Sequence, residues 1–226
     1  MTPSDHDLAS EPTPFTRAQF EQAPGDILSR GRWANAVLYL YRRGGERWVV
    51  KDFRPRGFAV RNTIGRLLIR REMRALRKLA GLAGVPARAF RLDAHALAYG
   101  FVPGAPLNTA DLGPRAADFF ARLEQLLTRV HATGGILHLD VRNGRNVLVS
   151  EQGEPVLIDF QSHVGTGWMP QRLRRWAERF DLAGVYKHWE RSSPETLGEA
   201  RASLLARVNR WRRLWPLRGY LGMRSK

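Results

Sequence analysis

Three polar side chains follow one another in the loop after residue 134, and a fourth lies near the end of the next apolar run. His138, Asp140 and Asn146 lie between a helical pattern and a strand-like run, and Asp159 lies in the following run. A tight turn between the two runs would bring the Asn146 loop and Asp159 to the same end of a hairpin. Mg²⁺ prefers such oxygen ligands together with phosphate oxygens, although each residue alone would be an ordinary turn residue. The pattern therefore predicts a Mg²⁺ site beside a bound phosphate.

Lys51 is an unusual choice of cation in this chain. Of the 37 Lys and Arg residues only four are Lys, and Lys51 lies within the apolar strand-like run 48–53. A compact ammonium group in such a strand indicates a specific contact that the wider guanidinium would not make. The alternative is that Lys51 protects an edge strand against pairing with another chain.

Glu72 is the only acidic residue in a long helical pattern that is otherwise rich in Arg. Helical spacing places it on the same face as Leu68, Ala75 and Leu79, so its carboxylate lies within the apolar stripe. A buried carboxylate needs a cationic partner, and Lys51 is the natural candidate. The alternative is an exposed ion pair with an Arg one turn away.

The elements that carry these residues predict an α+β fold. The first half is rich in strands and has one prominent helix, 60–82. The predicted strands are 36–42 and 47–53, joined as a hairpin across Gly44-Gly45, followed by 90–93 and 96–102. The second half combines a helix at 114–133 that Gly134-Gly135 ends, two short strands at 146–149 and 156–160, and a basic helical tail from residue 171 onward. We predict a bilobal domain from this order, with a hinge near residues 100–104.

Three segments make up the predicted domain organisation. Residues 1–26 form an acidic leader that we expect to be loosely ordered, residues 27–102 form a small β-rich N-lobe, and residues 103–226 form a reduced helical C-lobe. The basic tail has helical apolar spacing and interfacial tryptophans, so it either lies on an anionic membrane or packs on the C-lobe with its Arg side chains in water.

The order of these motifs resembles the protein-kinase-like fold. The strand lysine in Val-Val-Lys51 comes first, followed by the helix acid Glu72 and a hinge-like run at 99–107. The His138-x-Asp140 loop with Asn146 and the sequence Asp159-Phe160-Gln161 come next, where kinases carry His-Arg-Asp, Asn and Asp-Phe-Gly.

This resemblance implies a role for each residue. Lys51 would bind the α- and β-phosphates of ATP while paired with Glu72, and Asp140 would orient the acceptor hydroxyl and accept its proton. Asn146 and Asp159 would hold Mg²⁺, and His138 would support the loop. Gly31 would belong to the loop that covers the phosphates, and it is the only glycine there.

Two positions keep alternatives open. Asn146 follows Asp140 by six residues where the kinase pattern has five, so Asn143 is a second candidate for the metal ligand. Asp181 is either the helix acid that braces the catalytic loop or a simple helix N-cap.

A short, Arg-rich kinase domain looks most like the bacterial lipopolysaccharide core kinase family, which phosphorylates heptose or Kdo sugars, and next most like the RIO-type atypical kinases. The first resemblance implies a sugar hydroxyl of the lipopolysaccharide inner core as acceptor, and the second implies a protein serine or threonine. A pseudokinase or basic binding module is the third alternative, because the phosphate loop is poor in glycine and the catalytic loop is stretched.

Composition limits the partners and the compartment. The net charge of +16 indicates a polyanionic partner such as a glycolipid or membrane surface; a protein substrate fits less directly, and no motif points to nucleic acid. The absence of cysteine excludes disulfides and thiolate metal sites. No apolar run is long enough to span a membrane and no secretory signal is evident, so we expect a cytoplasmic protein, soluble or resting on the inner membrane.

Overall fold

A computed structural model describes residues 13–32 and 34–214 of the chain, with side chains up to residue 212. The chain divides into two units: unit 1 comprises Met1–Arg77 and Pro86–Phe101, and unit 2 comprises Lys78–Val85 and Val102–Lys226. The main division falls one residue before the boundary expected from the sequence. The short segment 78–85 belongs to unit 2, although it follows the helix of unit 1 directly.

Unit 1 is built on an antiparallel sheet of five strands. Their spatial order is β1-β2-β3-β5-β4, and their bounds are Asp26–Ser29 (β1), Val37–Arg43 (β2), Glu46–Asp52 (β3), Phe90–Arg91 (β4) and Ala96–Gly100 (β5). The predicted hairpin joins β2 to β3 through Gly44 and Gly45, both with positive φ, as tight hairpin turns require. Lys51 lies on the central strand β3, so its role is not to protect a sheet edge.

A short helix, α1 (Arg17–Gln22), precedes the sheet, so the prediction of a loosely ordered leader is wrong for residues 13–26. Thr16 caps this helix by accepting from the Gln19 N–H, and the Gln19 side chain accepts from the Thr16 N–H in return. Phe15 and Phe20 are buried against Tyr41 and its neighbours in the sheet. Aromatic burial therefore orders this segment despite its acidic composition. Residues 1–12 of the leader lie outside the described residues.

One continuous helical segment carries Glu72. It begins with α2 (Phe58–Val60), passes through a π-helical turn at Arg61–Gly65 and continues as α3 (Arg66–Lys78). The helix predicted over 60–82 therefore begins two residues earlier, at Phe58, and ends four residues earlier, at Lys78. Ile64 lies within the π turn, whose wider winding rotates it relative to α3, and it is exposed although helical spacing places it in the apolar stripe.

Unit 2 combines a helical core with short strands. Helix α4 (Ala116–Gly134) ends at Gly135, whose left-handed conformation stops the helix as predicted. Strands β6 (Gly104–Pro106), β8 (Val147–Ser150) and β9 (Pro155–Leu157) form one antiparallel sheet, and β7 (Ile136–Leu137) pairs with β10 (Val164–Gly165).

Three helices complete unit 2: α5 (Gln171–Ser192), α6 (Pro194–Leu197) and α7 (Glu199–Leu214). Leu205 and Val208 of α7 are buried, whereas Arg207 and Arg210 are exposed, so the described part of the basic tail packs as an ordinary amphipathic helix. Within the part of the chain described here, no helix has the length and apolar character needed to cross a bilayer.

Candidate active site

In unit 1 Lys51 and Glu72 form a buried ion pair. The Lys51 Nζ donates to Glu72 Oε1 at 2.7 Å and to Oε2 at 2.8 Å, and the two side chains are 7% and 3% exposed. Strand β3 supplies the lysine from the centre of the sheet, and α3 supplies the glutamate from its buried face. The helical spacing that placed Glu72 in the apolar stripe is therefore confirmed, and the exposed alternative pairing is excluded.

The loop after β1 contains Gly31 in a left-handed conformation with φ near 60°. A Cβ at this position would lie 2.5 Å from the Ala36 carbonyl oxygen, so the close turn requires glycine. The Gly31 N–H donates to Ser29 Oγ at 3.2 Å, which uses this group within the loop.

Arg56 fastens the same loop, and sequence reasoning missed it. Its guanidinium donates to the Asn35 carbonyl at 2.7 Å and to the Arg30 carbonyl. A cation beyond β3 thus fixes the backbone of this loop. The run of Arg residues gave no signal that would single out this one.

Asp181 in the middle of α5 braces the loop that carries Asp140. Its Oδ2 accepts from the His138 N–H at 2.7 Å and its Oδ1 accepts from the Leu139 N–H at 2.9 Å. The His131 Nε2–H from α4 adds a third bond to Oδ2 at 3.0 Å. Leu139 has a positive φ of 63°, a strained conformation that these bonds hold. The alternative that Asp181 is an N-cap is excluded, because Pro170 precedes α5.

His138 is fully buried and connects the loop to the strand before Asp159. Its Nε2–H donates to the Ile158 carbonyl at 3.0 Å, and its Nδ1 accepts from the Asp140 N–H at 3.3 Å. The ring packs on Phe160 with its centroid 4.7 Å away. The imidazole therefore acts as a spacer between the two segments that carry the acids.

Asp140 and Asn146 are in direct contact. The Asn146 Nδ2 donates to Asp140 Oδ2 at 2.7 Å and to the Asp140 carbonyl at 3.2 Å. Burial raises the pKa of Asp140, and the negative charge of Asp159 acts in the same direction, while His138 and the Asn146 amide oppose the shift. Asp140 is thus a better proton acceptor than an exposed aspartate.

Asp159 follows the β8–β9 hairpin and lies at the same end of it as Asn146, as the spacing predicted. Its backbone is left-handed, with φ 65° and ψ 66°, and the neighbouring Ile158 N–H donates to the Asn146 carbonyl at 2.9 Å. The Asp159 charge acts on Asp140, so the two carboxylates lie near each other. Two carboxylates and one amide oxygen match the chemistry that Mg²⁺ prefers, with phosphate oxygens and water to complete the shell.

Asn143 has a different environment from Asn146. It is exposed, and its side-chain oxygen accepts from the Arg145 N–H at 3.3 Å as the cap of the 3₁₀ turn Gly144–Asn146. Asn146 is buried beside Asp140. The Asn143 amide also lies 3.5 Å from Asn146 Oδ1 and hydrogen-bonds to Asp140, but only Asn146 is buried and donates to Asp140 Oδ2 at 2.7 Å. Within the described residues no group of three or more His, Cys, Asp or Glu side chains could hold a metal.

A second set of contacts from α5 holds the catalytic loop, and no motif in the sequence pointed to it. The His188 Nε2–H donates to the Val141 carbonyl at 3.1 Å, and Lys187 donates to the Arg142 carbonyl at 3.3 Å. A Cβ on Gly184 would lie 3.1 Å from the Arg142 nitrogen, so the small residue permits this close approach. Burial, and then the Lys187 charge, lower the pKa of His188 to about 4.

A strand lysine paired with a helix glutamate in unit 1, and a braced His-x-Asp loop followed by an Asp in unit 2, define a protein of the protein-kinase-like fold. The family follows from the sequence itself: the RIO domain model matches residues 45–192, about two thirds of the chain, so the chain belongs to the RIO domain family. The matched range contains every predicted site residue except Gly31.

Solved structures support the same fold. The chain is similar to the Rio2 kinase from Chaetomium thermophilum in its ADP/Mg²⁺-phosphoaspartate complex, with a TM-score of 0.58 and 17% identity over 87% of this chain and 74% of that one. A second structure of the same kinase gives a TM-score of 0.57 at 17% identity, covering 87% and 76%. No curated protein matches the sequence.

The comparisons confirm the predicted α+β kinase-like fold and agree with a phosphotransferase. They favour the second of the two resemblances that the sequence offered, the RIO type. The resemblance to the lipopolysaccharide core kinases finds no support.

Proposed function

We propose that the protein is an ATP- and Mg²⁺-dependent kinase of the RIO type that phosphorylates a serine or threonine hydroxyl of a protein. The observation that carries the proposal is the 2.7 Å bond from the Asn146 amide to the Asp140 carboxylate, in a loop braced by Asp181. That arrangement holds a basic carboxylate beside a second one, Asp159. Phosphoryl transfer requires mainly such positioning and charge stabilisation, because the protein need not form a covalent bond itself.

Lys51 would bind the phosphates of ATP in this reaction. Glu72 neutralises the ammonium in the apo protein and fixes its position through two hydrogen bonds. A cation that is already oriented loses little side-chain entropy when a phosphate binds, so the ion pair supports phosphate binding by preorganisation.

Asp140 would orient the acceptor hydroxyl and accept its proton. Asn146 holds Asp140 Oδ2 in place, and the raised pKa makes the carboxylate a stronger base. Asn146 and Asp159 would hold Mg²⁺, which when bound neutralises the charge of the transferred phosphoryl group. His138 and Asp181 would act as positioning residues, because their bonds go to the loop backbone.

The acceptor is the least constrained part of the proposal. Membership of the RIO family and the fold shared with the Rio2 kinase support a protein acceptor. The sugar acceptor inferred from the basic surface has no comparable support, and we do not propose it. The cytoplasmic location stays a prediction.

The test is transfer of labelled γ-phosphate from ATP by the purified full chain, with a protein mixture and lipopolysaccharide offered in separate reactions. We expect labelled serine or threonine only in the protein reaction, dependent on Mg²⁺ and reduced roughly a thousandfold by Asp140→Asn. Asp118→Asn, an exposed acid on α4, is the matched control. Labelled glycolipid would overturn the acceptor. Absence of transfer together with no thermal stabilisation by Mg²⁺-ATP would favour the binding-module alternative.

A further inference from the structure

A cavity of about 530 Å³ lies between α4, α5 and α7 in unit 2. We call it the α5–α7 groove, and its charged lining consists of Glu124, Arg179, Arg201 and Arg207. Its volume is in the range of sites that bind small ligands or short peptide segments. None of the candidate active-site residues lines it, so it is a separate feature of the molecule.

The single acid of the groove is already neutralised. Tyr186 donates its hydroxyl to Glu124 Oε1 at 2.5 Å, and Arg201 donates to Oε2 from Nε at 3.0 Å and from Nη2 at 2.9 Å. The Arg201 guanidinium also lies 4.9 Å from the Trp189 ring centroid. Burial and the bond to Glu124 raise the pKa of Tyr186, so its hydroxyl remains a neutral donor. Arg201 is therefore fixed in place without leaving a negative charge free in the groove.

Arg179 and Arg207 have no acidic partner among the described residues, and both are exposed at the groove. The groove thus carries three guanidinium groups and one carboxylate. Guanidinium groups bind phosphate and carboxylate through paired N–H donors, so an anionic ligand fits this lining.

An aromatic hollow adjoins the groove and shares Arg179 and Arg207 with it. The rings of Trp176, Phe180 and Trp211 line it: Trp176 stacks on Phe180 at 5.7 Å and meets Trp211 edge-on at 6.0 Å. The hollow holds only about 30 Å³, room for a small apolar group and too little for a nucleobase. Trp176 and Trp211 remain about half exposed, so single-stranded nucleic acid, whose bases stack on aromatic rings, is the competing ligand that the experiment must separate.

We infer that the α5–α7 groove binds an anionic segment of a partner protein, whose phosphate or carboxylate groups pair with Arg179 and Arg207. Arg201 adds a third, prepositioned guanidinium. A small apolar side chain of the same segment enters the aromatic hollow. Binding at this groove does not depend on phosphoryl transfer. The inference therefore holds whether or not the protein is an active kinase.

The experiment measures binding of labelled peptides to the full chain by fluorescence anisotropy. The probes share one sequence of alternating alanine and a variable residue, which is phosphoserine, glutamate or serine; an oligouridylate RNA is the fourth probe. The test variant is Arg179→Gln with Arg207→Gln. The matched control is Arg70→Gln with Arg74→Gln, which changes two exposed Arg residues of α3 and the same net charge.

We expect the phosphoserine or glutamate peptide to bind the wild type and the control variant equally, and the groove variant at least about tenfold more weakly. The serine peptide should not bind. A preference between the two anionic peptides tells whether phosphorylation supplies the charge. Equal weakening in the control, no binding of either anionic peptide, or tighter RNA binding that the groove variant abolishes would each overturn the proposal. Asp140→Asn should leave peptide binding unchanged, which separates this result from failure of the kinase proposal.

Discussion

Lys51 donates to both carboxylate oxygens of Glu72 across 21 residues of chain, and the pair is almost completely buried. Burying two charges has a desolvation cost that a well-formed pair only roughly offsets, so such a pair adds little to stability by itself. Its retention in a chain with so few lysines therefore indicates function. It also makes the two residues strongly dependent on each other.

Removing one member of this pair should destabilise the protein more than removing both. We expect Lys51→Met and Glu72→Met each to lower the free energy of unfolding by about 3–5 kcal/mol, because each leaves an unpaired buried charge. The double variant should recover most of that loss but no phosphotransfer. Urea unfolding of the four proteins measures the coupling, and additive losses in the double variant would show that the residues do not act as a pair.

The two asparagines of the catalytic loop should differ sharply. Asn146→Ala removes the amide that adjoins Asp140, so we expect activity at fixed ATP to fall at least about a hundredfold and the Mg²⁺ concentration for half-maximal rate to rise. Asn143→Ala removes a cap and the exposed, longer contacts with Asn146 and Asp140, so it should cost about 1 kcal/mol of stability or less, with activity within a few-fold of wild type. A Mg²⁺ titration of the rate for each variant distinguishes them. The reverse order of effects would assign the metal to Asn143.

Asp181→Asn should weaken the hydrogen bonds that hold the backbone of the catalytic loop at His138 and Leu139. The carboxylate accepts three donors, and an amide in its place presents an N–H to at least one of them, so we expect a loss of roughly 2–3 kcal/mol of stability. The rate constant kcat should fall with little change in the KM for ATP, because Lys51 and Glu72 are untouched. Asp118→Asn is the exposed control. A raised KM with unchanged kcat would contradict a bracing role.

His188 should make stability depend on pH. Unfolded histidine binds a proton below about pH 6.5, whereas folded His188 does so only near pH 4, so the free energy of unfolding should fall as pH drops through this window. The full effect is roughly 3 kcal/mol. In His188→Gln the amide can still donate to Val141 but does not titrate, so the decline between pH 6.5 and 4 should shrink. Denaturant unfolding at several pH values tests this, and parallel curves would refute it.

The local elements were predictable because their signals are local. The Gly44-Gly45 turn between two strand-like runs predicted the β2–β3 hairpin, and the Gly134-Gly135 pair predicted the end of α4. The predictions failed where the conformation depends on more than the local sequence pattern. Phe15 and Phe20 order the segment before β1 by packing on the sheet, and the π turn before α3 exposes Ile64. Neither effect leaves a trace in the spacing of charges or apolar residues.

The sequence alone determined the order and chemical type of the site residues, because a strand lysine, a helix glutamate and a His-x-Asp loop are recognisable by type and spacing. It left open what each of them contacts. Tertiary structure decided that Asp181 binds a loop 43 residues away, that Arg56 fastens the Gly31 loop, and that helices distant in sequence enclose an arginine-lined groove. Secondary structure follows from short-range preferences, whereas these contacts exist only once packing brings remote segments together.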